Sequence, residues 1–375
     1  MIGTTKILHL PYYYSNLRKG GGEAVVKKLF EHNSNAIDIL FPKSGHSTDG
    51  KPLQKNSHLH KLIKNFSILA SFYYMFSICK IAAQIRKDIR HYDQIVCHTF
   101  TFAAAIALFY RNKQLCYAYH GQGCYYAFCT DLMGYRKSKI LKCVLGYFEE
   151  FILNSSSKVV FPSSGAVVEF RKSGGHLNSK TEKKIKIIYN GISVSESDLD
   201  ESRGGEHLRL ITVATMNPAK GIDQIPEFLS QLEKRNISYH WKMIGTGKEV
   251  VTLKNNLLNF NIPPSHVTIE QNSMEHTDIL SEMKKSDYYL ILQRISIFDL
   301  ATLEALSCGC KAILSPTGGN VDLNNIMPEH VYLYDKCFFR FNELHQVWDP
   351  AQIRSAVSQK FAINAMYENY LDVFR

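Results

Sequence analysis

Short runs of apolar, β-branched and aromatic residues recur along the chain at intervals suited to strand–helix alternation. The first series is KILHL, AIDILF, QIVCHTF, QLCYAYH, KVVFPS and IKIIYNG, ending near Ile192. A charged, Gly-containing stretch, SVSESDLDESRGGEH, follows at 193–207 and reads as a linker. A second series is LRLITVATM, YHWKMIG, HVTIE, YYLILQ, KAILS and HVYLY. Helical patterns such as QIPEFLSQLEKR and DILSEMKK separate most of these runs. Alternating βα units predict parallel, doubly wound sheets. The expected fold class is therefore α/β, with two facing Rossmann-like domains and a cleft between them. Their bounds are 1–195 and 208–355, with 196–207 as linker and 356–375 as an amphipathic terminal helix.

A chain of 375 residues is long enough for two separate cores. An apolar share of 45% and a charged share of 21% suit a soluble globular protein. The net charge of +10 points to an anionic partner: nucleic acid, a membrane surface or a phosphorylated substrate. No nucleic-acid motif accompanies the charge, so no nucleic-acid partner is expected. The nine cysteines lack zinc-ligand spacing. No leader is evident, since KILHL is short and runs into Pro11 and tyrosines. The expectation is a reduced, cytoplasmic protein. No run reaches the roughly 18–20 apolar residues of a spanning helix. The nearest, FSILASFYYMFSIC at 66–79, has basic flanks. It reads either as a core helix of the first domain or as an interfacial helix touching a membrane.

The segment 286–320, SDYYLILQRISIFDLATLEALSCGCKAILSPTGGN, reads as strand, tight loop, helix, strand and Gly-rich turn. The loop around Phe298 to Leu300 opens a helix that carries Glu304 about one turn in. A loop entering a helix at the carboxyl end of a parallel strand is where open α/β sheets bind ligands. Its free backbone N–H groups and the helix dipole favour a phosphate. A Glu one turn later can accept hydrogen bonds from two ribose hydroxyls. Together these features indicate a nucleotide-sugar site.

The same residues resemble the donor segment of family 4 retaining glycosyltransferases. That family's pattern is Glu-Gly-Phe-Gly-Leu, then Glu-Ala-Met-Ala-x-Gly, a strand and Gly-Gly. Phe298, Leu300, Glu304, Ala305, Gly309, Gly318 and Gly319 stand in register, while Ser296 replaces the first Glu and Asp299 the second loop Gly. KGGGEAVVKKLF is similar to the family's Gly-Gly-x-Glu loop, with Gly20, Gly21, Gly22 and Glu23 matching. YAYHGQG resembles its His-Gly motif, which would bring His120 to the transferred sugar. His98, ending the preceding strand, sits at a similar edge, with a structural histidine as the plain alternative. NPAKGID matches the family's Lys-Gly, whose Lys, here Lys220, pairs with the donor diphosphate. The Arg that precedes this Lys in the family is Thr215, and Arg294 is a candidate to supply the charge instead. MIGTGKE, with Gly245 and Gly247, resembles the loop lining the nucleotide pocket.

The resemblance implies the two-domain GT-B fold, with the C-terminal helix packing back on the N-terminal domain. It implies His120 and Lys220 as catalytic groups, and Gly21, Gly22, Lys220, Gly245, Asp299, Leu300 and Glu304 as donor ligands. Gly20, His98, Thr215, Arg294 and Ser296 complete the candidates. No cofactor and no metal are implied, since a nucleotide-diphosphate sugar is the co-substrate. The implied reaction is retaining transfer to a glycan or lipid-linked hydroxyl in bacterial polysaccharide or lipopolysaccharide synthesis. The enzyme would sit peripherally on the anionic inner face of the membrane. The absent Glu and Arg also suit a non-catalytic nucleotide-sugar-binding homologue. An epimerase or phosphorylase of the same architecture is a further alternative, although no pyridoxal Lys is identified.

Overall fold

The computed structural model of the chain describes residues 7–10, 22–32, 37–39, 63–194, 203–272 and 274–375. The chain divides into two compact units, one of 1–189 with 363–375 and one of 190–362.

In the first unit the strands are β1 (Ile7–Leu10), β2 (Ile37–Ile39), β3 (Gln94–Cys97), β4 (Gln114–Ala118), β5 (Lys158–Phe161) and β6 (Ile185–Ile187). They form a parallel sheet in the order β2-β1-β3-β4-β5-β6. The longer helices are α1 (Gly22–His32), α2 (Ser67–Ile85), α3 (Phe100–Phe109), α4 (Lys139–Ser155) and α5 (Ser164–Lys172). The central strands are apolar on both faces because helices cover both sides, the usual burial of a parallel sheet. Side-chain caps start three of these helices: Thr99 for α3, Ser138 for α4 and Ser163 for α5.

The second unit alternates strand and helix through β7 (His207–Val213), α6 (Ile225–Glu233), β8 (Ser238–Ile244), α7 (Val250–Asn259), β9 (Val267–Glu270) and α8 (His276–Lys284). It continues through β10 (Tyr288–Ile291), α9 (Leu300–Ser307), β11 (Lys311–Leu314), α10 (Gly319–Ile326), β12 (Val331–Leu333) and α11 (Pro350–Phe361). Its sheet is also parallel, ordered β12-β11-β10-β7-β8-β9. The core around Trp241, Tyr239, Phe228 and Tyr288 is fully enclosed.

Each of the twelve apolar runs read from the sequence coincides with one of β1–β12. The return to the first unit falls later than position 356, at Ile363. The physical reason is that α11 packs on α9 of the second unit, while α12 (Ile363–Leu371) packs on α1. The apolar run at 66–79 also grows. It continues to Ile85, giving α2 19 residues, which by length and composition alone is enough to cross a membrane. That corrects the expectation that no run is long enough. Only a third of that apolar span is buried.

Candidate functional site

In the second sheet β7 and β10 are neighbours although two βα units separate them in sequence. The chain winds away from β7 in one direction and from β10 in the other. The crevice at their carboxyl ends is therefore the switch point at which such sheets take ligands.

Two loops line that crevice. After β7 the chain makes a single 3-10 turn, Pro218–Lys220, whose start is capped by the Asn217 side chain accepting from the Lys220 N–H at 3.2 Å. Gly221 ends the turn at φ +60, and a Cβ there would stand 1.8 Å from the Leu292 carbonyl oxygen. Only glycine allows this backbone to lie so close to the end of β10. The close approach aims Lys220 at the second loop, where its Nζ meets Asp299 Oδ1 at 2.7 Å. Asp299 immediately precedes α9, whose first residue is Leu300. Its carboxylate makes no cap hydrogen bond, and its Oδ2 is buried without a partner.

One turn into α9, Glu304 is largely buried and lies 3.3 Å from Nε2 of the exposed His276. Phe298, just before Asp299, has φ +154, is buried, and stacks near Phe361. Its carbonyl accepts from Asn190 Nδ2 at 2.9 Å, which ties the loop to the start of the unit. After β8, Gly245 at φ +152 packs against the Ala214 carbonyl, where a Cβ would be 1.9 Å from the oxygen. The β8 loop thus lies directly beside the β7 loop.

Three of the sequence candidates are engaged in scaffolding. Ser296 is buried and donates to Asn320 Oδ1 at 2.7 Å, while its carbonyl accepts from Gly319 N. It joins the donor loop to the Gly318-Gly319 turn and does not face the crevice as a free group. Arg294 forms a two-pronged pair with Asp223 at 2.6 and 2.7 Å and donates to the Pro218 carbonyl. That pairing holds the Asp223 carboxyl below its usual range. These contacts fix the guanidinium on the Lys220 turn. Thr215 is exposed, with its hydroxyl accepting from Asn217 Nδ2. Gly20 and Gly21 lie outside the described residues, and Gly22 begins α1.

The first unit gathers three histidines at the carboxyl edge of its own switch point, between β1 and β3. His9 is in β1, His98 follows β3 and His120 follows β4. His9 Nδ1 lies 2.9 Å from His98 Nε2, and His98 Nδ1 lies 2.9 Å from His120 Nε2. Their rings stack, with Tyr370 of α12 against the first two. Burial pushes His9 down to about 3 and His120 down to about 4, and also holds His98 well below the usual range. All three are therefore neutral near pH 7. A neutral imidazole carries one N–H, so the two hydrogen bonds run in the same direction. His9 Nε2 is buried without a partner. An orphaned N–H is the rarer arrangement. A lone pair there puts the protons on His9 Nδ1, His98 Nδ1 and His120 Nδ1. His120 then presents an N–H donor beyond the chain. Sequence reasoning missed His9. Its signal is a lone polar residue within an otherwise apolar strand, ILHL.

Residues 197–325, roughly a third of the chain, match the family described as "Glycosyl transferases group 1". Among curated proteins nothing matches the sequence. The structure is similar to Anabaena HepE, solved in complex with UDP, at TM-score 0.63 and 15% identity over 98% of this chain and 99% of that one. The fold is GT-B. It is likewise similar to sucrose-phosphate synthase of Thermosynechococcus elongatus, at TM-score 0.66 and 14% identity over 99% of this chain and 98% of that one. Trehalose-6-phosphate synthase OtsA gives TM-score 0.68 at 11% identity over 98% of this chain and 99% of that one.

Proposed function

We propose that the protein is a retaining glycosyltransferase. It would move a sugar from a nucleoside diphosphate to a hydroxyl of a glycan or lipid-linked acceptor, without a metal. The observation that carries the reading is the meeting of Lys220 with the N-terminus of α9 at the switch point, with Glu304 one turn further on. The "Glycosyl transferases group 1" match covers the same residues. HepE, whose structures hold UDP and glucose, supports a nucleotide sugar as the ligand class.

The chemistry follows from these groups. The bond between the anomeric carbon and the diphosphate oxygen breaks, and charge grows on that oxygen. The Lys220 ammonium and the free N–H groups opening α9 stabilise it. Glu304 accepts from the ribose hydroxyls and orients the nucleoside. His120, which the family resemblance assigns to the transferred sugar, is kept neutral by burial and would act there as a hydrogen-bond donor and not as a proton acceptor. The acceptor hydroxyl attacks the same face, and its proton passes to the departing phosphate oxygen. The work of the protein is positioning and charge stabilisation. The acceptor would belong to bacterial polysaccharide or lipopolysaccharide synthesis at the cytoplasmic face of the membrane.

One observation favours a second reading. Asp299 already neutralises Lys220, as a chain retaining the fold as a binding module would allow. Incubation of the purified protein with UDP-sugars separates the two. Release of UDP with sugar transfer or hydrolysis supports the enzyme. Tight UDP binding with no turnover on any donor sinks it and leaves the binding protein. Anomeric proton NMR of a product tests retention, since an α-linked donor should give an α-glycoside.

A further inference from the structure

The helix α2 is apolar all round, yet it has one partnered face and one bare face. Ala70, Tyr74, Ile78, Ile81 and Ile85 are buried, at the spacing of one helical stripe. That stripe packs on α3 and α4, and Tyr74 is anchored by a hydrogen bond to Cys129 at 3.0 Å. The opposite stripe is exposed: Ile68 57%, Phe72 70%, Met75 41% and Phe76 69%, with Leu69 and Tyr73 beside it. Large apolar groups are rarely grouped in this way on a protein surface that meets only water. The anchored face keeps the helix from spanning a bilayer, because crossing would strip the stripe through Tyr74 from its core.

The charged residues flanking α2 are mostly basic, with exposed Asp88, next after Lys87, the acidic exception. Within α2 the only charged residue is Lys80. Lys64 precedes the helix and Arg86 and Lys87 follow it. On α4, which packs against α2, exposed Lys139 and Lys142 accompany exposed Ile140 and Tyr147. Arg136 N donates to the Lys64 carbonyl, which ties the approach to α4 to the start of the α2 region. An apolar stripe with cations at its margins is the pattern of a helix lying in the headgroup plane of an anionic bilayer. A second copy of this face would bring lysine against lysine, so charge favours lipid over self-association.

We propose that the exposed face of α2 docks the protein on anionic phospholipid, with Phe72 and Phe76 inserted below the headgroups and the flanking Lys and Arg among the phosphates. The proposal extends the lipid-linked acceptor reading to a surface and a mode of attachment. Vesicle binding is measured without donor or acceptor, so its failure and the failure of transfer activity are separate results. Insertion also differs from attraction by charge alone, because part of the binding should survive high salt.

The test is co-sedimentation of the full chain with vesicles of phosphatidylcholine alone and of phosphatidylcholine with phosphatidylglycerol, at low and high salt. Binding is expected to the mixed vesicles and to persist in part at high salt. Phe72→Ser with Phe76→Ser should weaken it at least tenfold with an unchanged melting temperature. Lys139→Ser with Lys142→Ser should remove mainly the salt-sensitive part. A separate Phe76→Trp protein should show a blue-shifted emission on vesicles and quenching by brominated lipid. The proposal is overturned by no binding to mixed vesicles or by equal binding of the Ser variant. It is also overturned by a dimer that the Ser substitutions convert to monomer. A tryptophan that stays in water on bound vesicles overturns the insertion step.

Discussion

Lys220 and Asp299, 79 positions apart in sequence, form an ion pair of 2.7 Å across the switch point of the second sheet. The carboxylate stands where a phosphate of the donor would meet both the ammonium and the N-terminus of α9. A diphosphate must therefore displace it or share the lysine with it. Replacing Asp299 by Gly removes a negative charge from the anion site while keeping an acceptable helix start. Affinity for UDP should rise about tenfold, or about 1.4 kcal/mol. Stability should change by no more than a few kcal/mol, because the pair is mostly buried but one Asp299 oxygen already lacks a partner. Calorimetric titration reads the first and thermal unfolding the second. Unchanged or weaker UDP binding would show that the carboxylate is not a competitor.

Lys220→Ala is the complementary change. Transfer should fall by at least about a hundredfold, the scale for losing one charge stabiliser of a transition state. The melting temperature should stay within a few degrees, because Lys220 is joined to the fold mainly through its backbone turn. Full activity would remove the lysine from the chemistry.

Glu304→Ala should weaken nucleoside diphosphate binding by about 1.5–3 kcal/mol, as for lost hydrogen bonds to a charged group. UDP and 2′,3′-dideoxy-UDP should then bind the variant equally. If the parent protein already binds both equally, Glu304 does not hold the ribose.

The histidine chain sets a pH dependence. Folded His9 and His120 titrate at about 3 and 4, and His98 also below its ordinary value, all through burial. From about one unit above pH 6.5 upward, neither folded nor unfolded histidine is appreciably charged, so they contribute no slope. As pH falls from there, the unfolded chain takes up protons that the folded chain refuses, and stability is lost. Each histidine adds up to about 1.4 kcal/mol per pH unit. His98→Gln should flatten the loss between pH 6.5 and 4 by about a third of that summed slope. Parallel stability curves for parent and variant would mean that the ring is protonated in the fold.

Glu149 acts in the opposite sense. It is buried in α4, accepts from the Tyr125 N–H at 2.8 Å, and burial pushes its carboxyl up to about 8. Its folded form holds a proton that the unfolded form has released above about pH 4.5. The resulting contribution is full below that pH and is lost as pH rises toward 8. Glu149→Gln keeps the acceptor and removes the titration. The variant should gain on the parent by up to about 1.4 kcal/mol per pH unit between pH 5 and 8. Denaturant midpoints measured across that range check it, and a constant difference would place the carboxylate in its ionised form throughout.

The sequence by itself determined the sheets. Central strands such as β10 are continuous apolar runs because helices cover both their faces, while outer strands such as β9 keep polar, partly exposed positions within their apolar pattern. It also placed Lys220 in the loop after β7 and Glu304 one turn into α9, since a turn, a helix start and a helical rise are local properties. Tertiary structure decided which distant side chains meet. Asp299 reads as a lost glycine until the fold sets it on Lys220, and Arg294 reads as a spare cation until Asp223 takes its fork. His9 joins His98 and His120 only because β1 lies beside β3 and β3 beside β4. The bare face of α2 is the same kind of result. Composition fixes how apolar a helix is, but which side is covered depends on the helices packed against it.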